Sequence, residues 1–193
     1  LDAAIAKGGK LDGLLIASPA NPTGTMLDHA ALVELVDYCR TRDIRIISDE
    51  VYHGITYGEP AESIVALDDH AIAVNSFSKY FSMTGWRLGW MVLPADLVRP
   101  VERLAQNLFI SPPTLSQRAA VAAFSATSEL AAKVEAYARN RDLLLQELPK
   151  AGFNKLAPAD GAFYIFADVL HLTNDSADFC KRMLADIGVA ATP

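Results

Sequence analysis

Short apolar blocks alternate with longer amphipathic stretches along most of the chain. "LDGLLIASP" (11–19) is an apolar block closed by proline, and it predicts a strand. The next stretch, "MLDHAALVELVDYCRTRD" (26–43), repeats apolar residues at helical spacing behind Asp28, a residue suited to capping a helix. "IRIIS" (44–48) and "AIAVNSF" (71–77) predict two further strands around the turn-rich "DEVYHGITYGEP", and "LGWMVL" (88–93) predicts a fourth that ends at Pro94. Blocks that are apolar nearly throughout, separated by helices, suit strands covered on both faces of an α/β sheet.

Beyond Pro94 the pattern turns helical. "DLVRPVERLAQNLF" and "TLSQRAAVAAF" flank the breaker Ser111-Pro112-Pro113, and an amphipathic helix is predicted over 129–148 with Leu130, Val134, Tyr137, Leu144, Leu145 and Leu148 in one stripe. "GAFYIF" (161–166) predicts an aromatic strand, and a last helix runs from Ser176 to about Ile187 before Gly188. The predicted division is residues 1–125 as one α/β unit and 126–193 as part of a smaller α+β unit. The chain opens at Leu1, and its last residues, "GVAATP", read as a strand just beginning, so both ends read as cut.

Composition narrows the function classes. With 51% hydrophobic residues and a net charge of −6 over 193 residues, the chain is neither disordered nor basic enough for a nucleic-acid footprint. No apolar run approaches the roughly 20 residues that span a bilayer. Cys39 and Cys180 lie far apart in helical patterns and read as buried thiols rather than a disulfide or metal site, which fits a cytoplasmic protein.

In open α/β sheets ligands bind beyond the carboxyl ends of strands, so the first polar residues after each apolar block are the candidates. After the first block come Asn21-Pro22-Thr23-Gly24; after the second, Asp49-Glu50-Val51-Tyr52; after the third, Ser76-Phe77-Ser78-Lys79. Taken singly, each has a structural explanation. Asn-Pro-Thr-Gly suits a type I turn, Asp49 a helix cap, Lys79 a solvated surface and Tyr52 a packed ring. Together with Arg87 they put an amide, a carboxylate, a phenol, hydroxyls, an amine and a guanidinium on one rim. That set matches the needs of a pyridine-ring cofactor bearing an aldehyde, a phenolic oxygen and a phosphate. A carboxylate serves the ring nitrogen, a lysine the Schiff base, hydrogen-bond donors the phenolic oxygen, and hydroxyls with a planar guanidinium the phosphate.

The motifs "ASPANPTG", "SDEVY", "NSFSKYFSMTGWRLGW" and "GAFYIF", in this order, resemble the fold type I, class I/II aminotransferases that use pyridoxal 5'-phosphate, the aspartate-aminotransferase-like branch. The resemblance covers essentially the whole chain. It implies part of the large cofactor-binding domain, a mostly parallel sheet with helices on both faces, over 1–125, followed by an incomplete small domain over 126–193. It implies that Lys79 is the Schiff-base lysine and the acid/base acting at the substrate Cα. It also implies that Asp49 pairs with the pyridinium nitrogen, that Asn21 and Tyr52 bind the phenolic oxygen, and that Ser76 and Arg87 bind the phosphate. Ser78 is expected to support the loop, His53 to be a bystander, and Trp86 and Trp90 to pack, with Gly85 and Gly89 allowing close backbone approach. The Asn21-Pro22 bond is expected to be cis rather than part of a trans turn.

In relatives the arginine for the substrate carboxylate, the remaining phosphate ligands and the ring-stacking aromatic lie outside the segments matched here. The resemblance therefore implies a fragment of a homodimeric enzyme that acts on an amino acid and a 2-oxo acid, with unpaired strand edges, an uncovered apolar face and no turnover by itself. A carbon–sulfur β-lyase, a decarboxylase or a cofactor-binding regulatory domain without turnover remains open, because each would share Lys79 and Asp49.

Overall fold

A computed structural model describes residues 1–193. A short helix α1 (Asp2–Gly8) precedes strand β1 (Gly13–Ala17), helix α2 (His29–Arg40) and strand β2 (Arg45–Asp49). Strands β3 (Ile72–Ser76) and β4 (Gly89–Val92) follow, then helices α3 (Ala95–Leu108), α4 (Thr114–Ala123), α5 (Thr127–Glu147) and α6 (Ser176–Ile187). The sheet order is β1-β2-β3-β4, with β1–β2 and β2–β3 parallel and β3–β4 antiparallel. This is the expected α/β architecture with a mostly parallel sheet.

Helix α2 starts where the pattern predicts, because the Asp28 carboxylate accepts the Ala31 N–H at 2.8 Å and satisfies one of the free donors of the first turn. Its buried residues Leu32, Val36 and Cys39 recur at helical spacing and form a core with Ile44, Ile46, Ile64, Ala71 and Ala73. Each large aliphatic side chain buried there contributes about 1.5–3 kcal/mol. Helix α6 is capped in the same way by Asp175, and Gly188 ends it in the left-handed region, φ 71°.

As its turn-rich sequence predicts, the segment between β2 and β3 contains no α-helix, only a 3₁₀ turn at Ile64–Ala66. Two expectations change. "GAFYIF" is not a strand: Ala162 has φ 58°, and the segment turns after Gly161, which makes a lone antiparallel bridge to Thr56. The competing demand is long-range, since Gly161 N–H donates to Gly24 C=O at 2.9 Å and Ala162 N–H to Ile55 C=O at 2.9 Å. Finally, residues after Gly188 form no strand.

A second, smaller core joins Phe77, Met83 and Ala120, with Phe81, Leu88, Ala119 and Ala123 against it. Outside these cores the apolar cover is thin. Leu15 of β1 is 72% exposed, Trp90, Met91 and Val92 of β4 are exposed, and α3 buries no residue, with Leu108 at 77%. Apolar side chains of β1, β4 and α3 thus lie uncovered.

Candidate active site

The parallel register brings the strand ends together: Ala17 pairs with Asp49, and Asp49 with Val74, two residues before Ser76. The polar residues that follow β1, β2 and β3 therefore share one rim, at the carboxyl edge where α/β sheets hold ligands.

The loop after β1 is held by its own backbone, with Gly24 N–H to Ala20 C=O at 2.8 Å and Ala20 N–H to Thr25 C=O at 2.9 Å. Ser18-Pro19 and Asn21-Pro22 are both cis, the second as expected. Gly24 sits at φ 71°, and a Cβ there would lie 3.0 Å from Gly161 O and 3.2 Å from Tyr164 O, so glycine is what lets the 161–164 turn close over this loop.

Asp49 ends β2, and its Oδ1 accepts the Val51 N–H at 3.1 Å, a local bond that turns the chain at the strand end. Tyr52, 4% exposed, lies one turn on. Its ring stands edge-on to Phe163 and Tyr164, each at 5.5 Å between centroids, and its hydroxyl is hydrogen-bonded to that of Tyr164. Burial first, and then the nearby Asp49 charge, push the Tyr52 phenol well above the usual phenol range, while the Asn21 side chain close to the same hydroxyl pulls the other way. The hydroxyl is therefore neutral, with Asn21 beside it.

Lys79 follows β3 within the loop that leads to β4. Its Nζ lies 5.5 Å from the Tyr52 ring centroid and 5.7 Å from that of Phe163, and it pairs with no carboxylate. The amine thus sits among aromatic faces rather than in an ion pair. Tyr80 beside it covers Gly54, where a Cβ would meet the ring at 2.6 Å. Asn21, Asp49, Tyr52 and Lys79 are brought into one cluster.

Ser76 and Arg87 are placed at the same end of the β3–β4 hairpin, since Ser76 pairs with Gly89 and Phe77 N–H donates to Leu88 C=O at 3.1 Å. They do not touch each other. Ser76 Oγ accepts the Ser78 N–H at 3.0 Å, and Arg87, exposed and left-handed at φ 50°, donates from Nη1 to Thr84 C=O at 3.0 Å. Within the same loop the backbone C=O of Ser78 accepts from Thr84 Oγ1 at 2.7 Å. Gly89 is required, because a Cβ would lie 2.6 Å from Asn75 O, whereas Gly85 has open space around it. Trp90 packs against Phe77, Phe81 and Phe124; Trp86 is exposed.

Two residues of the site are not read from the sequence. Glu50, 2% exposed, accepts from Ser63 Oγ at 2.8 Å, Ile64 N–H at 2.9 Å and Asn75 Nδ2 at 3.3 Å, so it ties the segment after β2 to β3. His53 stands between Glu50, 3.6 Å from Nδ1, and Ser18 C=O, 3.0 Å from Nε2, bridging two loops rather than facing the rim. The other is Tyr164, whose signal is hidden in a run that reads as strand.

Comparison with known proteins places the chain in a family. Residues 1–193 match the family model described as aminotransferase class I and II. A valine–pyruvate aminotransferase of Mycobacterium tuberculosis is 51% identical over 187 residues, which is 95% of this chain and 48% of that protein. A crystal structure of an aminotransferase from Mycobacterium tuberculosis, 49% identical, superposes with a TM-score of 0.91 over 95% of this chain and 48% of its own. The Thermus thermophilus aspartate aminotransferase solved with maleate, 32% identical, superposes at 0.86 over 94% of this chain and 48% of its own. The chain spans about half the length of the curated relatives it matches. With a match along its full length and a relative at 51% identity, the chain belongs to the class I and II aminotransferase family.

Proposed function

We propose that this chain carries the cofactor-binding core of an enzyme that moves an amino group between an amino acid and a 2-oxo acid, with pyridoxal 5'-phosphate as cofactor. The observation that carries the reading is the cluster itself: a lysine amine with no carboxylate partner, 5.5 Å from the ring of a buried tyrosine whose neutral hydroxyl faces Asn21 and Tyr164. The donor set fits the group. A neutral phenol and an amide can both donate to an anionic phenolic oxygen, a carboxylate at a strand end can hold a pyridinium proton, and Arg87 has N–H groups to spare for phosphate. When bound, the cofactor supplies an electron sink and an aldehyde to which an amino group attaches.

In this reading Lys79 would be the amine that joins the cofactor aldehyde and the group that would move the proton at the substrate Cα. Asp49 would keep the ring nitrogen protonated, Asn21 and Tyr52 would hold the phenolic oxygen, and Ser76 and Arg87 would bind the phosphate. Residues 1–125 form the later part of the large domain and 126–193 an incomplete small domain. The whole enzyme is a cytoplasmic homodimer, and the 193 residues alone do not turn over, a view supported by the exposed apolar side chains of β1, β4 and α3.

The test is direct. The whole protein is mixed with pyridoxal 5'-phosphate, its visible Schiff-base band is recorded, and oxo-acid formation is followed with valine and pyruvate first, then aspartate and 2-oxoglutarate. A band and turnover that are both lost in Lys79→Ala support the reading; a wild-type protein without a band, or a mutant that keeps it, refutes it.

A further inference from the structure

Tyr52 has one hydroxyl proton and three neighbours with a claim on it. A neutral phenol donates once and accepts through its lone pairs. The Tyr164 hydroxyl is hydrogen-bonded to it, the Asn21 side chain approaches it, and the space in front of Asn21 and Lys79 is where an acceptor would sit. If Tyr52 donates to Tyr164, nothing is left to donate into that space. If Tyr164 donates to Tyr52, the Tyr52 proton is free to point there.

Tyr164 is built to hold one position. Its turn is pinned to the loop after β1 by Gly161 N–H to Gly24 C=O at 2.9 Å, and to the segment after Tyr52 by Ala162 N–H to Ile55 C=O at 2.9 Å. The Tyr57 hydroxyl donates to Ala162 C=O at 2.6 Å, and Gly161 lies so close to Pro19 that a Cβ would meet its Cγ at 2.4 Å. The turn thus grips both segments that carry the phenolic-oxygen ligands, and its side chain at 164 reaches the hydroxyl of one of them.

We infer that Tyr164 is a positioning residue for Tyr52: its hydroxyl donates to the Tyr52 oxygen and thereby turns the single Tyr52 proton towards the phenolic oxygen of the bound cofactor. This rests on the functional reading above. The consequence is electronic as well as geometric, because a donor at the phenolic oxygen stabilises its negative charge and so loosens the proton on the Schiff-base nitrogen beside it.

The experiment compares wild type, Tyr52→Phe, Tyr164→Phe and the double mutant of the whole protein, loaded with pyridoxal 5'-phosphate. The pH midpoint of the visible Schiff-base band is the readout. Tyr52→Phe raises the midpoint by about one pH unit, the scale of one lost hydrogen bond. Tyr164→Phe raises it by a smaller amount, and the double mutant behaves as Tyr52→Phe alone. In the cofactor-free proteins, urea unfolding gives losses for the two substitutions that are not additive. The inference is overturned by a Tyr164→Phe midpoint equal to wild type, by an equal Tyr164→Phe shift in the Tyr52→Phe background, or by additive unfolding losses. A wild-type protein without a band overturns the functional reading and this inference with it, whereas a normal wild-type band with a silent Tyr164→Phe overturns this inference alone.

Discussion

The Tyr52 hydroxyl is held by a partner 112 residues further along the chain, whereas the Arg87 guanidinium bonds only to a carbonyl three residues before it. The same contrast runs through their neighbours. On the side of the proposed cofactor ring, Glu50 reaches residues of β3 and of the turn before it, and the 161–164 turn ties the loop after β1 to the segment after β2. On the side of the proposed phosphate, Ser76 bonds to Ser78, Ser78 to Thr84 and Arg87 to Thr84, all within one loop. The ring side is fixed by tertiary structure before any ligand arrives. The polar groups of the phosphate side bond only within their own loop, although that loop rests on Ala120 through Phe77 and Met83, so the orientation of those polar groups is the part left for a ligand to complete.

Lys79 stands between the two sides, in the phosphate loop but against ring-side aromatics, and its loss has the largest effect. Lys79→Ala in the whole protein removes the Schiff-base band and lowers turnover by at least about 10⁴-fold, since both the covalent link and the acid/base group go together. Stopped-flow spectra and steady-state rates check both parts. Asp49→Asn is the next step down. The asparagine oxygen can still accept from Val51 N–H, so the unfolding midpoint stays put, while the lost charge lowers turnover by about 10³-fold. A mutant that unfolds early would mean that Asp49 acts as a structural cap and that the ring side is not what it is proposed to be.

Why part of this site is legible in sequence, and part is not, follows from the same contrast. β1, β2, β3 and the α2 cap are local patterns of apolar spacing and a capping aspartate, and they form where those patterns point. The candidate residues are the first polar groups after each strand, and the parallel register does bring Asn21, Asp49, Tyr52 and Lys79 together. "GAFYIF" misleads because its aromatic run has the composition of a strand, while its backbone is claimed by Gly24 and Ile55 more than a hundred residues earlier. Glu50 is hidden for a related reason: a carboxylate at a strand end looks solvated until its partners Ser63, Ile64 and Asn75 are seen around it.

Those partners make Glu50 the test of the ring side's rigidity. Glu50→Ala leaves a buried hydroxyl, an N–H and an amide without their acceptor, and it costs about 3 kcal/mol in urea unfolding. Glu50→Gln keeps one acceptor oxygen and costs less. A loss below about 0.5 kcal/mol for the alanine variant would show that the ring side is no better fixed than the phosphate side.

Arg87→Ala probes the other side and has the smallest effect on the fold. The guanidinium is exposed and its only bond is to Thr84 C=O, so unfolding of the cofactor-free protein changes by less than about 0.5 kcal/mol. Affinity for pyridoxal 5'-phosphate, measured by fluorescence titration, falls by about tenfold, the order expected when one charge-assisted contact to a phosphate is lost. The left-handed backbone at Arg87, φ 50°, costs a β-carbon-bearing residue about 1 kcal/mol, so Arg87→Gly relieves strain while removing the same contact. The glycine variant is therefore expected to bind the cofactor as weakly as the alanine variant yet unfold at a slightly higher urea concentration. If instead both variants bind as tightly as wild type, the phosphate does not rest on this loop, and the contrast between a preformed ring side and a ligand-completed phosphate side fails.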